Sequence, residues 1–507
     1  MAKAAKKGKK VWMGVDVGTS GLKALLANAE GKVEASALVE YGMDTPQPGW
    51  AEQEPEIWWR ALKKALAQLR KEMPGMAESL AGIGLTGQMH SSVFLDDKFK
   101  VLRPAILWCD QRTARECEAL TEKLGFNNLV EMTFNRALTG FTLPKLLWLK
   151  NNEPEKYAKL KHLLVCKDYL RFRLTGELAT EVSDASGTLM FDVKSRTWSQ
   201  RLIGKLNLDP AILPKCYESP EVSGKVTPAA AKELGLNPGV PVVGGGGDQA
   251  AGAVGNGIVE EGAVLISIGT SGVVFASHSK PLFDAKARLH SFCHAAPGLW
   301  HSMGVMLSAG GSLRWLRETL RGIKPSIDYP EMTDLAKKAP AGSDGLFFLP
   351  YLTGERTPHF DPYARGVFFG VNLKNSLGHV VRSVLEGVSF GLKDSVEIMK
   401  ESQVKIDKFY LSGGGAKSEF WSQMLADIIG AKVYRLKVDE GPAFGSALLA
   451  MVGTGRFKTV KEAGKKTLRL KDSFSPNAKT SGDYSARYQA WKTIYPAVAE
   501  RFKAFSI

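Results

Sequence analysis

The chain lacks the marks of several large protein classes. Its 507 residues contain five cysteines, Cys109, Cys117, Cys166, Cys216 and Cys293. Their number is odd, their spacing is scattered and no Cys-x-x-Cys pair occurs. This argues against a disulfide scaffold or a zinc site and for a reducing, cytoplasmic setting. No apolar run approaches the ~20 residues that a membrane span needs. The N-terminus is Lys-rich and the apolar stretch after it is cut by Asp16, which does not fit a secretory signal. Gly-x-x-x-x-Gly-Lys-[Ser/Thr] is missing, which disfavours a P-loop NTPase, and the absence of His-Arg-Asp and Asp-Phe-Gly disfavours a protein kinase. Negative charge is in deficit, with 52 Asp and Glu against 67 Lys and Arg and a net charge of +15. Much of the excess sits in residues 1–10, which carry five lysines, and in a Lys-rich patch at 458–471. Elsewhere the charges are mixed, with no basic stripe interleaved with aromatics. The charge therefore reads as a solvated surface plus a flexible arm rather than a nucleic-acid footprint, and its field favours anionic nucleotides.

What is present is an ordinary globular composition, 44% apolar and 23% charged, in a chain long enough for two or three domains. Its most informative feature is a repeat. Gly18-Thr19-Ser20-Gly21 and Gly269-Thr270-Ser271-Gly272 each lie between two apolar runs, as in a β-hairpin with a tight turn. Successive backbone N–H groups with two hydroxyls form an anion-binding nest. Two such loops, one near the start of each half, predict a duplicated domain whose loops face one polyphosphate across a cleft. Asp16 precedes the first loop where Ser267 precedes the second. A carboxylate on one side only suits a single Mg²⁺ beside the phosphates.

The pattern alternates strand, loop and helix throughout, which predicts an α/β class. Residues 1–10 read as a disordered basic arm. Residues 11–27 and 33–41 read as an antiparallel pair, a helix runs from about 54 to 70, and a short strand covers 81–85. Residues 210–228 read as Pro-rich and irregular. The second half restarts at Gly262, so the expected domains are 11–255 and 256–507. After about residue 456 the chain is basic and polar, with a final helix over about 485–504.

Several positions carry two readings. Asp248 follows four glycines at a strand end and opens a helix, so it reads either as a general base for a substrate hydroxyl or as a helix N-cap. Gln88-Met89-His90 ends another strand and offers polar groups and an adaptable apolar wall to a polyol, or is simply structural. Asp110 and Arg112 either grip hydroxyls or pair with each other. The loop Leu411-Ser-Gly-Gly-Gly-Ala-Lys-Ser-Glu-Phe-Trp421, with Gly414, Gly415 and Ser418, either lies against a nucleotide or is a plain β–α turn.

On these and longer stretches the chain resembles the FGGY carbohydrate kinases from about Val11 to Phe502. Two long family patterns carry the resemblance, Gly140-Phe-Thr-Leu-Pro-Lys145-Leu-Leu-Trp148 and Gly366-Val-Phe-Phe-Gly370 followed by His379-Val-Val-Arg-Ser-Val-Leu-Glu386. Within the family the chain looks most like the xylulokinase branch, on Gly87-Gln-Met-His90, Lys167-Asp-Tyr-Leu170, His290-Ser-Phe-Cys-His294 and Leu352-Thr-Gly-Glu-Arg-Thr-Pro-His359. The resemblance implies two actin-like (ribonuclease-H-like) α/β domains with an active-site cleft between them. It implies ATP-dependent phosphorylation of D-xylulose to D-xylulose 5-phosphate, with ATP and Mg²⁺ as cofactors and with no nucleic-acid or membrane partner; a homodimer stays open. It implies Asp248 as proton acceptor and Asp16 on the Mg²⁺ side. Gln88, Met89, His90, Asp110 and Gln249 fall on the sugar side. Thr19, Ser20, Gly269, Thr270, Gly310, Gly414, Gly415 and Ser418 fall on the ATP side. Gln249 stands where many xylulokinases carry Asn, and Gln there also occurs in glycerol kinases. Other ketoses or polyols, such as D-ribulose and glycerol, therefore remain alternative acceptors, and a non-metabolic actin-like ATPase is the rival class.

Overall fold

The structure is a computed structural model that describes residues 10–437 and 441–504. The expected basic arm, apart from Lys10, lies outside the described residues. Two seven-stranded mixed sheets organise the chain. The first contains β1 (Val11–Val17), β2 (Gly21–Asn28), β3 (Val33–Glu40), β4 (Leu80–Gly87), β5 (Val222–Lys225), β6 (Pro241–Val243) and β7 (Gly246–Gly247), in the order β5-β6-β4-β1-β2-β3 with β7 also on β4. The second contains β8 (Gly262–Ile268), β9 (Gly272–His278), β10 (His290–Cys293), β11 (Trp300–Met306), β12 (Ile406–Ser412), β13 (Val433–Leu436) and β14 (Leu470–Phe474), in the order β10-β11-β9-β8-β12-β13-β14. In both sheets the opening strand pairs antiparallel with the next one and parallel with a later one. Asp16 pairs with Lys23 across the first hairpin and Ser267 with Val273 across the second, so the two loops occupy equivalent places in two copies of one architecture. These are two actin-like α/β domains.

Helices cover the sheets for ordinary reasons. Helix α1 (Glu56–Glu72) opens after Pro55 and buries Trp58, Trp59, Leu62, Ala65, Leu66 and Leu69, a stripe at helical spacing. The 25-residue Leu377–Glu401 helix is buried along most of its length in the second core. Each half has its own apolar cluster, and a further cluster joins Met89, Phe141 and Ala253 to Leu265, Phe275, Phe292 and Tyr410 across the halves.

The halves also interlock. The helix Gly441–Gly453 is apolar on nearly every side and buried from Ala443 to Met451. It packs on Trp12, Leu25 and Ala27 of the first sheet and on Ala250 and Val254 of the helix Asp248–Gly255. The approach is backbone to backbone. A Cβ on Gly84 would sit 1.9 Å from the Ser446 carbonyl oxygen, and one on Gly445 would sit 1.7 Å from the Ala251 carbonyl oxygen.

Two expectations need correction. Residues 210–228 are not wholly irregular: strands Lys215–Tyr217 and Val222–Lys225 form between prolines 210, 214, 220 and 228, which bracket the strands without entering them. The tail is not a loose basic segment ending in one helix. Leu470–Phe474 closes the edge of the second sheet, and two helices follow, Ala478–Trp491 and Ile494–Ala504. Pro496 lacks the N–H that would bond the Lys492 carbonyl, which separates the two helices.

Because a methyl group at either glycine overlaps a carbonyl oxygen, Gly84→Ala and Gly445→Ala are each expected to destabilise by about 3 kcal/mol or more, at or beyond the upper end of overpacking costs. Urea unfolding checks this; an unchanged midpoint for both variants would show that the helix is free to move off the sheet.

Candidate active site

The site forms where the two halves face each other, and the ends of parallel strands supply it. Asp16 lies in β1, beside Thr86 of β4. Its Oδ1 is buried with no hydrogen-bond partner among the described residues. Burial, reinforced by the nearby Asp248 charge and opposed by Lys23, pushes its pKa up to about 7. Asp248 is the first residue of the helix Asp248–Gly255, and burial raises its pKa to about 6. The N-cap place belongs to Gly247, which makes no side-chain cap bond, and the Asp248 Oδ1 accepts the N–H of Gln249 at 2.8 Å, with the Gln249 side chain also bonding the carboxylate. Of its two readings, the cap is therefore not the one found. Two carboxylates of elevated pKa within electrostatic reach of each other mark a place built for a cation or a proton transfer.

The glycine run before Asp248 rests on a buried ionic cluster. Ser183 Oγ accepts the Gly247 N–H at 3.0 Å and Arg171 donates to the Gly244 carbonyl. Lys167 Nζ lies 2.7 Å from Asp168, 3.1 Å from Asp184 and 3.5 Å from Glu181, and the Arg171 guanidinium lies 2.8 Å from Asp168. Burial pushes the Asp184 pKa up to about 7, with Lys167 opposing.

On the other wall, Met89 packs on Gly247, where a Cβ would meet its side chain at 2.9 Å. A Cβ on Gly187 would meet the His90 ring at 2.5 Å. His90 takes a left-handed backbone, φ 68°, unusual for a residue with a side chain. Its carbonyl accepts from Lys145 Nζ at 2.9 Å and from the hydroxyls of Thr142 at 3.3 Å and Ser92 at 3.2 Å, which hold that conformation. Burial first, then the Lys145 charge, keep the imidazole pKa well below its usual value. A neutral ring whose Nδ1 sits 2.7 Å from the Gly187 carbonyl must donate there, so Nε2 is an acceptor.

Two sequence candidates have other tasks. Asp110 is 0% exposed; its oxygens accept the Ala51 N–H at 2.6 Å and a bidentate Arg112 guanidinium at 2.7–3.0 Å. Asp110 and Arg112 pair with each other, in the interior rather than at a sugar, because the carboxylate is already saturated. Gln88 is also buried, and its amide bridges Thr19 Oγ1 at 3.2 Å and Gln53 Oε1 at 2.9 Å. It braces the first loop and presents no free group. Trp108 Nε1 donates to the same Thr19 hydroxyl at 2.9 Å, and Gln53 Nε2 donates to the Thr19 carbonyl at 2.8 Å. Ser20, at the loop tip, is exposed.

The second half contributes a cavity of about 980 Å³. Gly269, Thr270, Gly310, Gly414, Gly415 and Ser418 all line it, so the two glycine loops that the sequence singled out separately meet there, together with Gly310, which the family resemblance implied. The Gly310 N–H bonds the Gly269 carbonyl at 2.9 Å, seating the Gly310–Arg321 helix against the second hairpin loop. Ser418 Oγ accepts the Trp421 N–H at 3.3 Å as a helix cap and faces the same cavity. The lining also includes Arg314, Tyr329, Lys337 and Phe420, none marked by a glycine motif. Glycines stand out in a sequence; a lone cation or ring at a cavity wall does not.

Family profiles and known proteins were then compared with the chain. The profile of the FGGY family of carbohydrate kinases, N-terminal domain, matches residues 11–255, and that of the C-terminal domain matches residues 264–454. A xylulose kinase of Lactococcus lactis subsp. lactis is 43% identical over 490 residues, covering 96% of this chain and 97% of the relative. A xylulose kinase of Escherichia coli is 41% identical over 486 residues, covering 96% and 98%. The structure of a ligand-bound xylulose kinase from Lactobacillus acidophilus superposes with a TM-score of 0.93 at 27% identity, covering 98% of this chain and all of that one.

Removing the buried cation from the cluster leaves its carboxylates short of compensation. Lys167→Met is expected to cost about 3–5 kcal/mol. Calorimetric unfolding at pH 7 measures it, and an unaltered Tm would show that Arg171 alone suffices.

Proposed function

The chain belongs to the FGGY family of carbohydrate kinases, and we infer that it is an ATP-dependent sugar kinase that converts D-xylulose to D-xylulose 5-phosphate. The observation that carries the reading is the position of Asp248. It follows Gly247, on which Met89 packs, its charge acts on Asp16, and burial raises its pKa to about 6, while curated xylulose kinases match the chain over nearly its full length.

Phosphoryl transfer depends on positioning and charge neutralisation more than on covalent chemistry. We assign the cavity around Gly310, Gly414, Gly415 and Ser418 to the nucleotide. The Thr19 and Thr270 loops approach its phosphates from opposite halves. Asp248 accepts the proton of the attacking sugar hydroxyl. A carboxylate of pKa about 6 is ionised at neutral pH yet basic enough to take that proton in the transition state. His90 Nε2 accepts a sugar hydroxyl, Met89 supplies an apolar wall, and Gln249 lies beside the reacting end. Exclusion of water as the halves close would protect the transfer from hydrolysis.

Mg²⁺ fits at Asp16. The buried, unpartnered Oδ1 is a vacant ligand oxygen, and no group of three or more ligating side chains exists among the described residues. A Mg²⁺ held there would take its remaining ligands from phosphate oxygens and water, and would neutralise charge on the transferring group. The free cysteines and the absence, among the described residues, of a helix long and apolar enough to cross a membrane support a cytoplasmic enzyme.

Two tests follow from these roles. Asp248→Asn is expected to bind ATP normally and lose at least about 100-fold in kcat, the lower end of general-base contributions. In the unaltered enzyme kcat/KM for the sugar is expected to fall as pH drops through about 6, because the protonated carboxyl no longer accepts a proton. Near-normal kcat in the variant would remove Asp248 from the chemistry. For Asp16→Ala, a Mg²⁺ titration of the rate is expected to show strongly reduced activity and a higher metal requirement; activity unchanged at every metal concentration would remove the metal role.

A further inference from the structure

Arg356 belongs to the second half, in the loop that follows Tyr351, yet it lies against the first. Its guanidinium carbon stands 5.6 Å from the centre of the Trp108 ring, and its Nη2 would lie 3.9 Å from a Cβ on Gly140. Phe141, next to Gly140, is 4.8 Å from the His90 ring and 5.6 Å from the His290 ring. The Arg356 charge acts on both imidazoles. Arg356 is thus drawn into the same pocket wall as His90, from the opposite side of the cleft.

The backbone that presents it is tied down. The Arg356 N–H donates to Glu355 Oε1 at 2.8 Å, and that oxygen also takes the Leu307 N–H at 2.9 Å. The Thr357 N–H donates to the Val305 carbonyl at 3.0 Å, and Thr357 Oγ1 accepts the Val305 N–H at 3.1 Å. The guanidinium itself has neither a hydrogen bond nor an ion-pair partner among the described residues. Its nitrogens are not among the buried unpartnered atoms, so this half-buried arginine, on an anchored backbone, keeps donors that no protein acceptor occupies and that a ligand can reach.

The chemistry of the sugar says what that is. A 2-ketopentose closes to its furanose through O5, the oxygen that receives the phosphoryl group. A sugar that offers O5 to Asp248 is therefore open-chain, with a free ketone at C2. Its hydroxyls both donate and accept, but its carbonyl oxygen only accepts. Around the pocket several donors are committed. Trp108 Nε1 is held by Thr19, Lys145 Nζ by the His90 and Gly140 carbonyls, and the His90 Nδ1–H by Gly187. Gln249 sits beside Asp248, at the reacting end. The Ser91 hydroxyl and the neutral His290 ring have no hydrogen-bond partner among the described residues either, but each can accept as well as donate, whereas Arg356 is charged and donor-only. We propose that Arg356 reaches across the cleft to bind the ketone oxygen of the open-chain ketose, and so sets the preference for a ketose over the corresponding polyol.

This inference rests on the ketose kinase reading above, and the experiment separates the two. Wild-type protein, Arg356→Met and Arg356→Lys are assayed with D-xylulose and with D-arabinitol, in which the ketone is reduced to a hydroxyl. Binding of both acceptors is also measured by titration calorimetry, independently of turnover. Wild-type turnover of D-xylulose tests the activity itself. For Arg356→Met, kcat/KM and affinity for D-xylulose are expected to fall about 10- to 100-fold, the loss of a charge-assisted hydrogen bond. D-arabinitol and the KM for ATP are expected to move less than about threefold, with Arg356→Lys intermediate for D-xylulose. Equal losses on both acceptors, a change confined to ATP, or a loss of D-xylulose affinity below threefold would each overturn the proposal. If Arg356→Met fails to fold, Arg356→Lys decides it by the same ratio of the two acceptors.

Discussion

The close contact between the helix Gly441–Gly453 and the first sheet underlies the rest of this structure. The helix belongs by sequence to the second half, but it lies on strands of the first and on the helix that begins with Asp248. The glycines at 84 and 445 let main chains touch with no side chain between them. Dispersion and apolar burial at such a contact are lost steeply if the pieces separate. The contact therefore fixes how the second half is seated on the first sheet and on the helix that carries Asp248. It also makes the proposed division at residue 255 a division of sequence more than of packing.

Within that frame the two copies of one architecture have diverged in charge. The first hairpin is preceded by Asp16 and braced by Gln53, Gln88 and Trp108. The second is preceded by Ser267 and braced by the backbone of the Gly310–Arg321 helix. On our assignment the phosphates would lie between the loops, a metal on the acidic side and the nucleotide on the glycine-lined side. The same low-dielectric surroundings that raise the two carboxylate pKa values keep the nearby imidazoles neutral, His290 being held down to about 3. The proposed sugar wall is thus rich in acceptors, and the cations close to it, Lys145 and Arg356, are sharply distinguished. One is spent on two carbonyls and the other is not.

Much of this was legible along the chain. The hairpins at 11–28 and 262–278 follow from apolar runs around a Gly-rich turn, and the α/β class follows from strand–helix alternation, because both are local patterns. The Pro496 break was missed because a final amphipathic stretch reads as one helix until its missing N–H is counted. The candidate residues at 269–270 and 414–418 were visible one loop at a time, since glycine is conspicuous wherever backbone must come close to something, whereas Gly310 entered only through the family resemblance. Asp110 beside Arg112 looked equally suited to a ligand or to a partner. Only the fold, by burying both and adding the Ala51 N–H, settled the pair.

The sequence by itself determined the kind of protein: a duplicated α/β chain of one kinase family, with a carboxylate before one of its two matching Gly-rich loops and a base candidate at a strand end. Repeats, periodicity and motif are properties of the one-dimensional string and survive without coordinates. Only the tertiary structure decided which polar groups are spent and which are free. That distinction depends on burial and on partners hundreds of residues away. Arg356 meets Trp108, and Trp12 meets Thr454, with no signal in the spacing. Desolvation, which sets the pKa of Asp16 and the neutrality of His90, is likewise a property of the space around a group and not of its neighbours in the chain.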